Sequence, residues 1–568
     1  MRILCNKWFM LVHLSLLSII GWVPSVHAQS NNFLFGIAHD SPNQTNQYAY
    51  LQDLGVNIIR LAGQNAARWQ SIEFILGGGY NFTTLDNYVT QTQQAGIELM
   101  TLILPQRTQK TPTVSEYPYY NNFVKAVVER YDGDGINDAP GSPVVKYWQV
   151  DNEPNSPIWN DTPENYAKLV KNTYESIKIS CNSCVVVLGG AMTDDQNPNV
   201  DFESWYDSVL IELQQLDTTG QQYFEIVDIH NYGDAFGDYK NNRKTFNTFN
   251  NLLQQYGYQN IQFIVTEEGT HSGQPASGML AGIYQSEANH AQDLIKRYVY
   301  SMATGIKQIY WFRIKEMGSA TVPPNFPSYE GNFFSLVPLI FNGKSAYDAG
   351  DEVKKLAYYS YKKMVEVLEG SDWKNIEIIQ EQNGIYIYKF TNQGTPIWVA
   401  WNDSSVTRTI TISGITQNRV RATEAVPKYE SGKEVADYTT AFRMDTLVVT
   451  NSTVTLTLGQ RPVFIEPLTV TSVEEESENI PKEFVLYQNY PNPFNPTTTI
   501  RFSLPQRDHV VLKVFDVLGR EMTTLVNGEL NPGEHTVVFN AKGLPSGVYF
   551  YQLRAGIFIQ TKKMLIIK

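Results

Sequence analysis

Two short segments end in carboxylates that one site could share. Residues 148–154 (WQVDNEP) and 263–269 (FIVTEEG) are runs of β-branched or aromatic residues that end on an acid and are interrupted by Pro or Gly. Such runs predict β-strands that present Glu153 and Glu267 at their carboxyl ends. Two facing carboxylates suit the hydrolysis of a glycosidic bond, because one protonates the leaving oxygen while the other attacks or activates water.

These two strands belong to a regular alternation of apolar and amphipathic helical segments between residue 31 and about residue 364. We predict strands at Phe33–Ala38, Val56–Leu61, Ile97–Leu104, Val144–Asp151, Val185–Leu188, Phe224–Ile229, Ile261–Thr266 and Ile306–Phe312. Eight strand–helix units, with strands apolar on both faces, predict a (β/α)8 TIM barrel of the α/β class. The alternative is a doubly wound open sheet, but residues 38–41 (AHDS) lack the glycines of a dinucleotide or phosphate turn.

The chain is too long for one hydrophobic core, and its sequence pattern changes after residue 368. Residues 369–470 contain short strands separated by Asn-Gly, Asn-Asp and Ser-Gly turns, which predict a β-sandwich accessory domain after the barrel of 29–368. Residues 471–482 include three consecutive glutamates and predict an exposed linker. Residues 483–568 predict a small all-β C-terminal domain.

The amino terminus predicts export from the cytoplasm. Arg2 and Lys7 accompany an apolar stretch at 9–23, and a cleavage site at 26–28 (VHA) closes a signal peptide of residues 1–28. The stretch is shorter than the roughly 20 apolar residues of a membrane anchor, so no membrane span is expected.

Charge and cysteine content narrow the classes of partner and cofactor. The 57 acidic residues exceed the 44 basic ones, giving a net charge of −13, which disfavours nucleic acid and leaves neutral polysaccharide as a partner. Cys181 and Cys184 are the only cysteines after the signal peptide. Without a second C-x-x-C or a His cluster, a local disulfide or two idle thiols is favoured over redox chemistry or zinc.

The C-terminal domain carries motifs of a known secretion signal. Residues 489–496 (NYPNPFNP), 514–520 (VFDVLGR) and 545–550 (PSGVYF) precede the basic pair Lys562-Lys563. Together they resemble the type IX secretion (Por) sorting domain. The resemblance implies export to the periplasm, then passage through the type IX secretion machinery to the cell surface or the medium.

The strand ends resemble clan A of the glycoside hydrolases, which are retaining β-glycosidases on this barrel. Residues 152–154 (Asn-Glu-Pro) match the acid/base motif of that clan, and Thr266-Glu267 matches its nucleophile motif. The resemblance covers roughly residues 31–365 and implies that Glu153 donates the proton while Glu267 attacks the anomeric carbon. Glu268 is the rival nucleophile, because periodicity cannot choose between neighbours on a strand that is buried on both faces.

Six further residues at strand ends are candidates for binding substrate: Arg60, Asn152, His230, Tyr232, Trp311 and His39. The resemblance implies that Arg60 holds the nucleophile ionised, that Asn152 bonds the sugar 2-hydroxyl and that Tyr232 orients Glu267. His230 is expected to line the same subsite, and Trp311 to offer a flat face to the pyranose ring. His39, at the end of the first strand, is a candidate for lining the pocket.

Two hypotheses of function follow. The first is a secreted retaining hydrolase of β-glycosidic bonds in polysaccharides or oligosaccharides, with an endo-β-glycanase such as a glucanase or xylanase favoured over an exo-β-glycosidase. The second is a non-catalytic carbohydrate-binding protein of the cell surface, which the two intact carboxylates disfavour. No cofactor is expected. Residues 132–138 (DGDGIND) space oxygen ligands as calcium loops do, but Pro143 stands where an EF-hand needs Glu, so a solvated loop is favoured.

Overall fold

A computed structural model describes most of the chain. The described residues are 34–39, 47–107, 110–157, 159–193, 201–217, 219–316, 333–343, 350–429, 433–468, 484–489, 491–556 and 558–567. The predicted signal peptide (1–28) and linker (471–482) lie outside them. The chain divides into two units, one with residues 1–413, 420–447 and 454–467, and one with residues 414–419, 448–453 and 468–568.

Eight parallel strands form a closed barrel in the first unit. They are β1 (Leu34–His39), β2 (Ile58–Leu61), β3 (Glu98–Leu104), β4 (Tyr147–Asn152), β5 (Val185–Ala191), β6 (Ile226–Tyr232), β7 (Gln262–Gly269) and β8 (Gln308–Phe312). Each strand pairs with the next, and β8 closes the ring by pairing with β1, with Trp311 opposite Ile37. A two-residue strand, Ala67–Arg68, pairs in parallel with the end of β3. The predicted barrel is confirmed.

A helix follows each barrel strand. They are α1 (Gln47–Leu54), α2 (Thr83–Gln94), α3 (Tyr117–Glu129), α4 (Pro163–Ser180), α5 (Phe202–Leu216), α6 (Asn241–Gln255), α7 (Glu287–Thr304) and α8 (Leu356–Leu368). Local sequence sets their ends: the Thr162 side chain caps α4, with Pro163 next, and Gly305 ends α7 at a φ of 109°. Short helical segments lie at Gly63–Asn65, Trp69–Ile72, Asp238–Lys240, Phe333–Leu336 and Tyr438–Thr440.

The pair Cys181–Cys184 is a disulfide at the junction of α4 and β5. Of the two alternatives that the sequence left open, a disulfide or two idle thiols, the structure has the disulfide, which closes the tight turn by which the chain leaves the helix and enters the barrel.

Strands dominate the chain after α8. Their bounds are Glu377–Gln382, Ile385–Asn392, Thr395–Asn402, Arg408–Ser413, Arg419–Glu424, Met444–Val448, Thr453–Leu458 and Val463–Leu468, and Ile340–Asn342 pairs with Asp351–Lys354 before them. Six of the eight form one sheet, and Arg408–Ser413 pairs with Thr453–Leu458 in another. The strand Arg419–Glu424 was not predicted, because its charged residues alternate with the inward-facing Val420 and Ala422 and mask a short apolar pattern.

Asp403, in the turn after Thr395–Asn402, ties these sheets to the barrel. Its carboxylate accepts hydrogen bonds from Tyr239 (2.8 Å), Lys240 (2.8 Å) and Lys296 (3.0 Å). The two lysines hold the pKa of Asp403 below its usual range although burial would raise it. The loop after β6 is therefore fixed in part by a residue outside the barrel.

The C-terminal segment folds around a core of its own. Its strands are Val485–Leu486, Thr497–Leu504, Asp508–Phe515, Glu521–Leu530, Gly533–Asn540, Gly547–Ala555 and Phe558–Ile566, in a three-stranded and a four-stranded sheet. The motif residues serve this fold: Asn489 is buried and bonds Tyr551 and Thr498, while Asp516 accepts the Arg520 amide to close a turn. Among the described residues of the whole chain, no helix is long and apolar enough to cross a membrane.

Candidate active site

Glu153 and Glu267 meet at the carboxyl end of the barrel. Glu153 directly follows β4, and Glu267 lies near the end of β7. A carboxylate oxygen of each, together with a ring nitrogen of His230, lies within a group whose atoms are all within 4.8 Å of one another. The side chains of Glu153 and Glu267 keep 19% and 14% exposure, so a substrate can reach both.

Glu267 is surrounded by groups that favour its ionised form. Arg60 Nη1 lies 2.8 Å from Oε1, the Tyr232 hydroxyl donates to Oε2 at 2.7 Å, and His230 Nδ1 lies 3.8 Å from Oε2. Burial would raise the pKa of Glu267, but the charges of His230 and Arg60 and these hydrogen bonds hold that pKa below its usual value. The structure thus brings Arg60 and Tyr232 to Glu267, as predicted.

Arg60 is fully buried and is oriented by two residues of β4. Its Nε donates to Gln149 Oε1 at 2.7 Å, and Nη2 donates to Asn152 Oδ1 at 2.5 Å. The guanidinium therefore links the strand that carries Glu153 to the strand that carries Glu267. Sequence reasoning missed Gln149, although an amide inside an otherwise apolar strand was a signal for it.

His230 bridges the acid pair and a buried carboxylate. Its Nδ1 lies 2.8 Å from Glu153 Oε1, and its Nε2 lies 3.4 Å from Asp228 Oδ2 and 3.2 Å from Thr266 Oγ1. Burial alone would lower the pKa of His230, but the charges of Glu267 and Asp228 raise it to about 10. The imidazolium is the favoured form at neutral pH, with both ring nitrogens as donors.

Asp228 is the second residue that sequence reasoning missed. It is completely buried on β6 and accepts hydrogen bonds from the Thr266 amide (2.8 Å), the Thr266 hydroxyl and Gln149 Nε2 (2.5 Å). Asp228, His230 and Tyr232 alternate along one strand, so all three side chains face the same side. That period of two was the signal that could have found it.

Glu268 points away from the site. It is completely buried between β7 and the helices, where Arg297 Nη1 lies 2.7 Å from Oε1 and Asn242 Nδ2 donates to Oε2 at 2.6 Å. Its neighbour Glu267 faces the barrel interior, as alternation along a strand requires. Of the two glutamates, only Glu267 faces the site, and Glu268 has no exposed surface there.

The backbone is strained where it presents Glu153. Asp151 and Glu153 adopt φ values of 61° and 44°, a left-handed conformation that costs a non-glycine residue about 1–3 kcal/mol. Hydrogen bonds hold it: Asp151 accepts from Trp159 Nε1 at 2.9 Å and from Gln106 Nε2 at 3.0 Å. Burial raises the pKa of Asp151 to about 6.

The structure gives Trp311 a different role from the predicted one and does not describe the side chain of His39. Trp311 is completely buried, its indole N–H donates to the Val337 carbonyl at 3.0 Å, and its ring centroid lies 5.4 Å from that of His290. A ring with no exposed face packs the protein, so the predicted sugar platform at Trp311 is corrected to a packing role. His39 ends β1 opposite Leu61, and its side chain lies outside the described set.

Two groups of described residues have the spacing of metal ligands. One is Glu153, His230 and Glu267, but the Arg60 guanidinium and the His230 imidazolium disfavour a cation there. The other is Asp132, Asp134 and Asp138. In this second group the carboxylates accept backbone amides of their own turn, such as Asp134 N at 3.2 Å from Asp132 Oδ1. The solvated loop stays a prediction.

Comparison with known proteins identifies the C-terminal domain. Residues 488–568 match the secretion system C-terminal sorting domain, so the predicted type IX sorting tail is confirmed. This domain directs the protein through the type IX secretion machinery to the cell surface or the extracellular space. No curated protein matches the chain.

Solved structures share the fold of the barrel and the sheets beside it. A glucosidase from Croceicoccus marinus aligns with a TM-score of 0.52 at 13% identity, covering 78% of this chain and 97% of that one. A monomeric beta-xylosidase from Caulobacter crescentus aligns with a TM-score of 0.50 at 14% identity, covering 77% and 96%. At these identities the likeness shows the fold. The protein is therefore a (β/α)8-barrel protein with additional β domains and a type IX sorting tail.

Proposed function

We propose that the protein is a secreted retaining glycoside hydrolase that cleaves β-glycosidic bonds of polysaccharides or oligosaccharides by double displacement. The separation of the two carboxylates carries this proposal. Retaining enzymes hold their carboxyl groups about 5–5.5 Å apart, whereas inverting enzymes leave about 6.5–9.5 Å for a water molecule. Oxygens of Glu153 and Glu267 within 4.8 Å of each other suit direct attack by Glu267 on the sugar.

In the first step, Glu153 gives a proton to the glycosidic oxygen while the Glu267 carboxylate bonds to the anomeric carbon. The charges of the site suit this assignment. Arg60 lies 2.8 Å from the Glu267 carboxylate and His230 lies 3.8 Å from it, so two cations stabilise the charge of the attacking group. Asn152, whose Oδ1 is engaged by Arg60, can turn its amide N–H groups toward the sugar 2-hydroxyl.

In the second step, Glu153 takes a proton from water, which attacks the anomeric carbon and releases Glu267. Arg60 and Tyr232 stabilise the carboxylate as it leaves, because both already bond it in the free protein. Two displacements on the same carbon restore its original configuration.

Product stereochemistry tests this proposal. Proton NMR of the first-formed anomer, on whichever substrate a panel of β-linked polysaccharides and nitrophenyl β-glycosides identifies, should show retention. In Glu153→Ala, hydrolysis of natural glycans should fall about 10²–10⁴-fold, while activated aryl glycosides are still cleaved and azide restores turnover as a glycosyl azide. An inverted product rejects the double displacement, and full activity of Glu153→Ala rejects the acid/base assignment.

A further inference from the structure

An open groove lies on the rim of the barrel, beside the loop that carries Glu153. Its volume is about 520 Å³, within the range of small-molecule sites. The connection from β4 to α4 forms one wall, and the first turns of α5 form the other. The residues that line it include Pro154, Asn155, Asp161, Asp201, Trp205 and Ser208.

The groove begins at the residue directly after the acid/base. Pro154 is part of its wall, and Asn155 fixes that wall to the end of β5. The Asn155 Nδ2 donates to the Met192 carbonyl at 2.6 Å, and the Met192 amide donates to Asn155 Oδ1 at 3.0 Å. Glu153 protonates the leaving oxygen in the proposed reaction, and the same loop lines the groove, which places the groove on the side of the departing part of the substrate.

Trp205 gives the groove an aromatic surface. Its side chain is half-buried and held by a cluster of rings, with centroid distances of 4.9 Å to Tyr206, 5.4 Å to Tyr166 and 6.3 Å to Trp159. A partly exposed indole in a fixed orientation suits the apolar face of a sugar ring. The Ser208 hydroxyl beside it suits a sugar hydroxyl.

The charge of the groove restricts what it accepts. Asp161 and Asp201 are among its lining residues, and no Lys or Arg is among the described residues that line it. Asp201 caps α5 by accepting the Ser204 amide at 3.1 Å, and Asp161 accepts from the Thr111 hydroxyl at 2.6 Å. Two acidic side chains without a lining cation disfavour acidic sugars, so neutral units fit the groove and uronates do not.

We propose that this groove is a binding site for neutral saccharide units on the leaving-group side of the scissile bond, with Trp205 as its stacking platform. The inference rests on the proposed glycoside hydrolase function. It makes the protein an enzyme of oligomeric chains, because a monosaccharide glycoside with a small aglycone does not fill the groove.

The test compares two substrates of one sugar: neutral β-linked oligosaccharides of four to six units and the corresponding nitrophenyl glycoside. In Trp205→Ala the ratio of kcat/KM for the oligosaccharide to that for the nitrophenyl glycoside should fall at least about ten-fold. Ser208→Trp, which fills the groove and keeps Trp205, should lower the same ratio. Tyr119→Ala removes an exposed aromatic side chain on α3 and should leave the ratio unchanged.

Each outcome decides between explanations. A ratio unchanged in both groove variants overturns the site, as does an equal loss on both substrates, which indicates a displaced Glu153 loop. A uronate-substituted oligosaccharide bound as tightly as the neutral one overturns the charge argument. If the wild-type protein cleaves neither substrate, the proposed hydrolase function fails. Calorimetric titration of the neutral oligosaccharide into wild type and Trp205→Ala then decides the groove separately: equal binding overturns it, and weaker binding by the variant supports it.

Discussion

Two neighbouring glutamates, each paired with a buried arginine, occupy opposite sides of one strand. Arg60 lies 2.8 Å from Glu267 inside the barrel, and Arg297 lies 2.7 Å from Glu268 between the barrel and its helices. Their pKa values move in opposite directions. Burial raises the pKa of Glu268, whereas the cations around Glu267 overcome burial and lower its pKa.

The difference lies in what else each acid meets. Glu267 has a second cation nearby, His230, and a phenol donor, Tyr232, and it keeps 14% exposure. Glu268 shares its arginine with Asp293, a second carboxylate, and has no exposure. An arginine partner alone therefore does not distinguish the proposed nucleophile from its neighbour. The second cation and the exposure of Glu267 do.

The largest effect is expected on removing the nucleophile itself. Glu267→Gln should lower kcat by at least about 10³-fold, because the amide cannot form the covalent intermediate. Its free energy of unfolding should change far less than its activity. Steady-state kinetics beside urea denaturation measure both, and a variant that keeps more than a tenth of the wild-type activity would contradict the assignment.

Removing the arginine on the catalytic side should reduce activity and move its pH profile. Arg60→Met should lower kcat/KM by about 10²-fold and shift the acidic limb of the profile to higher pH. Arg60 helps to hold the pKa of Glu267 down, so in its absence Glu267 takes up a proton at a higher pH. An acidic limb that stays in place would show that Arg60 does not set this ionisation.

Substitution of Glu268, on the opposite side of the strand, should lower the stability of the protein and leave its activity nearly unchanged. Glu268→Gln leaves Arg297 with one carboxylate fewer in a buried site, which we expect to lower the free energy of unfolding by about 3 kcal/mol. At low temperature, kcat/KM should stay within about threefold of wild type, since Glu268 does not face the substrate. Loss of activity without loss of stability would reverse the comparison.

The smallest expected effect concerns the titration of His230. The charges of Glu267 and Asp228 raise the pKa of His230 to about 10, so Asp228→Asn should lower that pKa. A folded-state pKa above the ordinary 6.5 stabilises the protein fully below that pH, and the contribution disappears as pH rises through about 10. Nitrogen NMR of the imidazole follows this titration, and an unchanged titration contradicts the assignment.

Much of this arrangement follows from local sequence. The alternation of apolar strands with amphipathic helices predicted the barrel, and the acids at two strand ends predicted the pair at its mouth. The predicted strands β6 and β7 ended at Ile229 and Thr266, whereas the strands run on to Tyr232 and Gly269. The polar side chains of the site end the apolar pattern before hydrogen bonding between the strands ends.

The features of the site that could not be predicted depend on contacts between residues distant in sequence. Both faces of β7 are buried, so only Arg60 and Arg297, from β2 and α7, decide which of its two glutamates faces the site. Trp311 ends a strand in the expected place, but Val337 and His290 cover it. Gln149 and Asp228 left local signs, a lone amide in an apolar strand and a period of two along β6, but their hydrogen bond to each other joins strands that are distant in sequence.

The hydrogen bonds of Asp403 with Tyr239, Lys240 and Lys296 limit where the chain can be cut to build chimeric proteins. A chimera joined after α8 would lack Asp403, the counter-ion of Lys296, whose side chain is almost completely buried. It would also free the turn after β6, the strand that carries His230 and Tyr232. The transplantable module is therefore the barrel together with the sheets that supply Asp403. The sorting tail, which has a separate core, is the portable part.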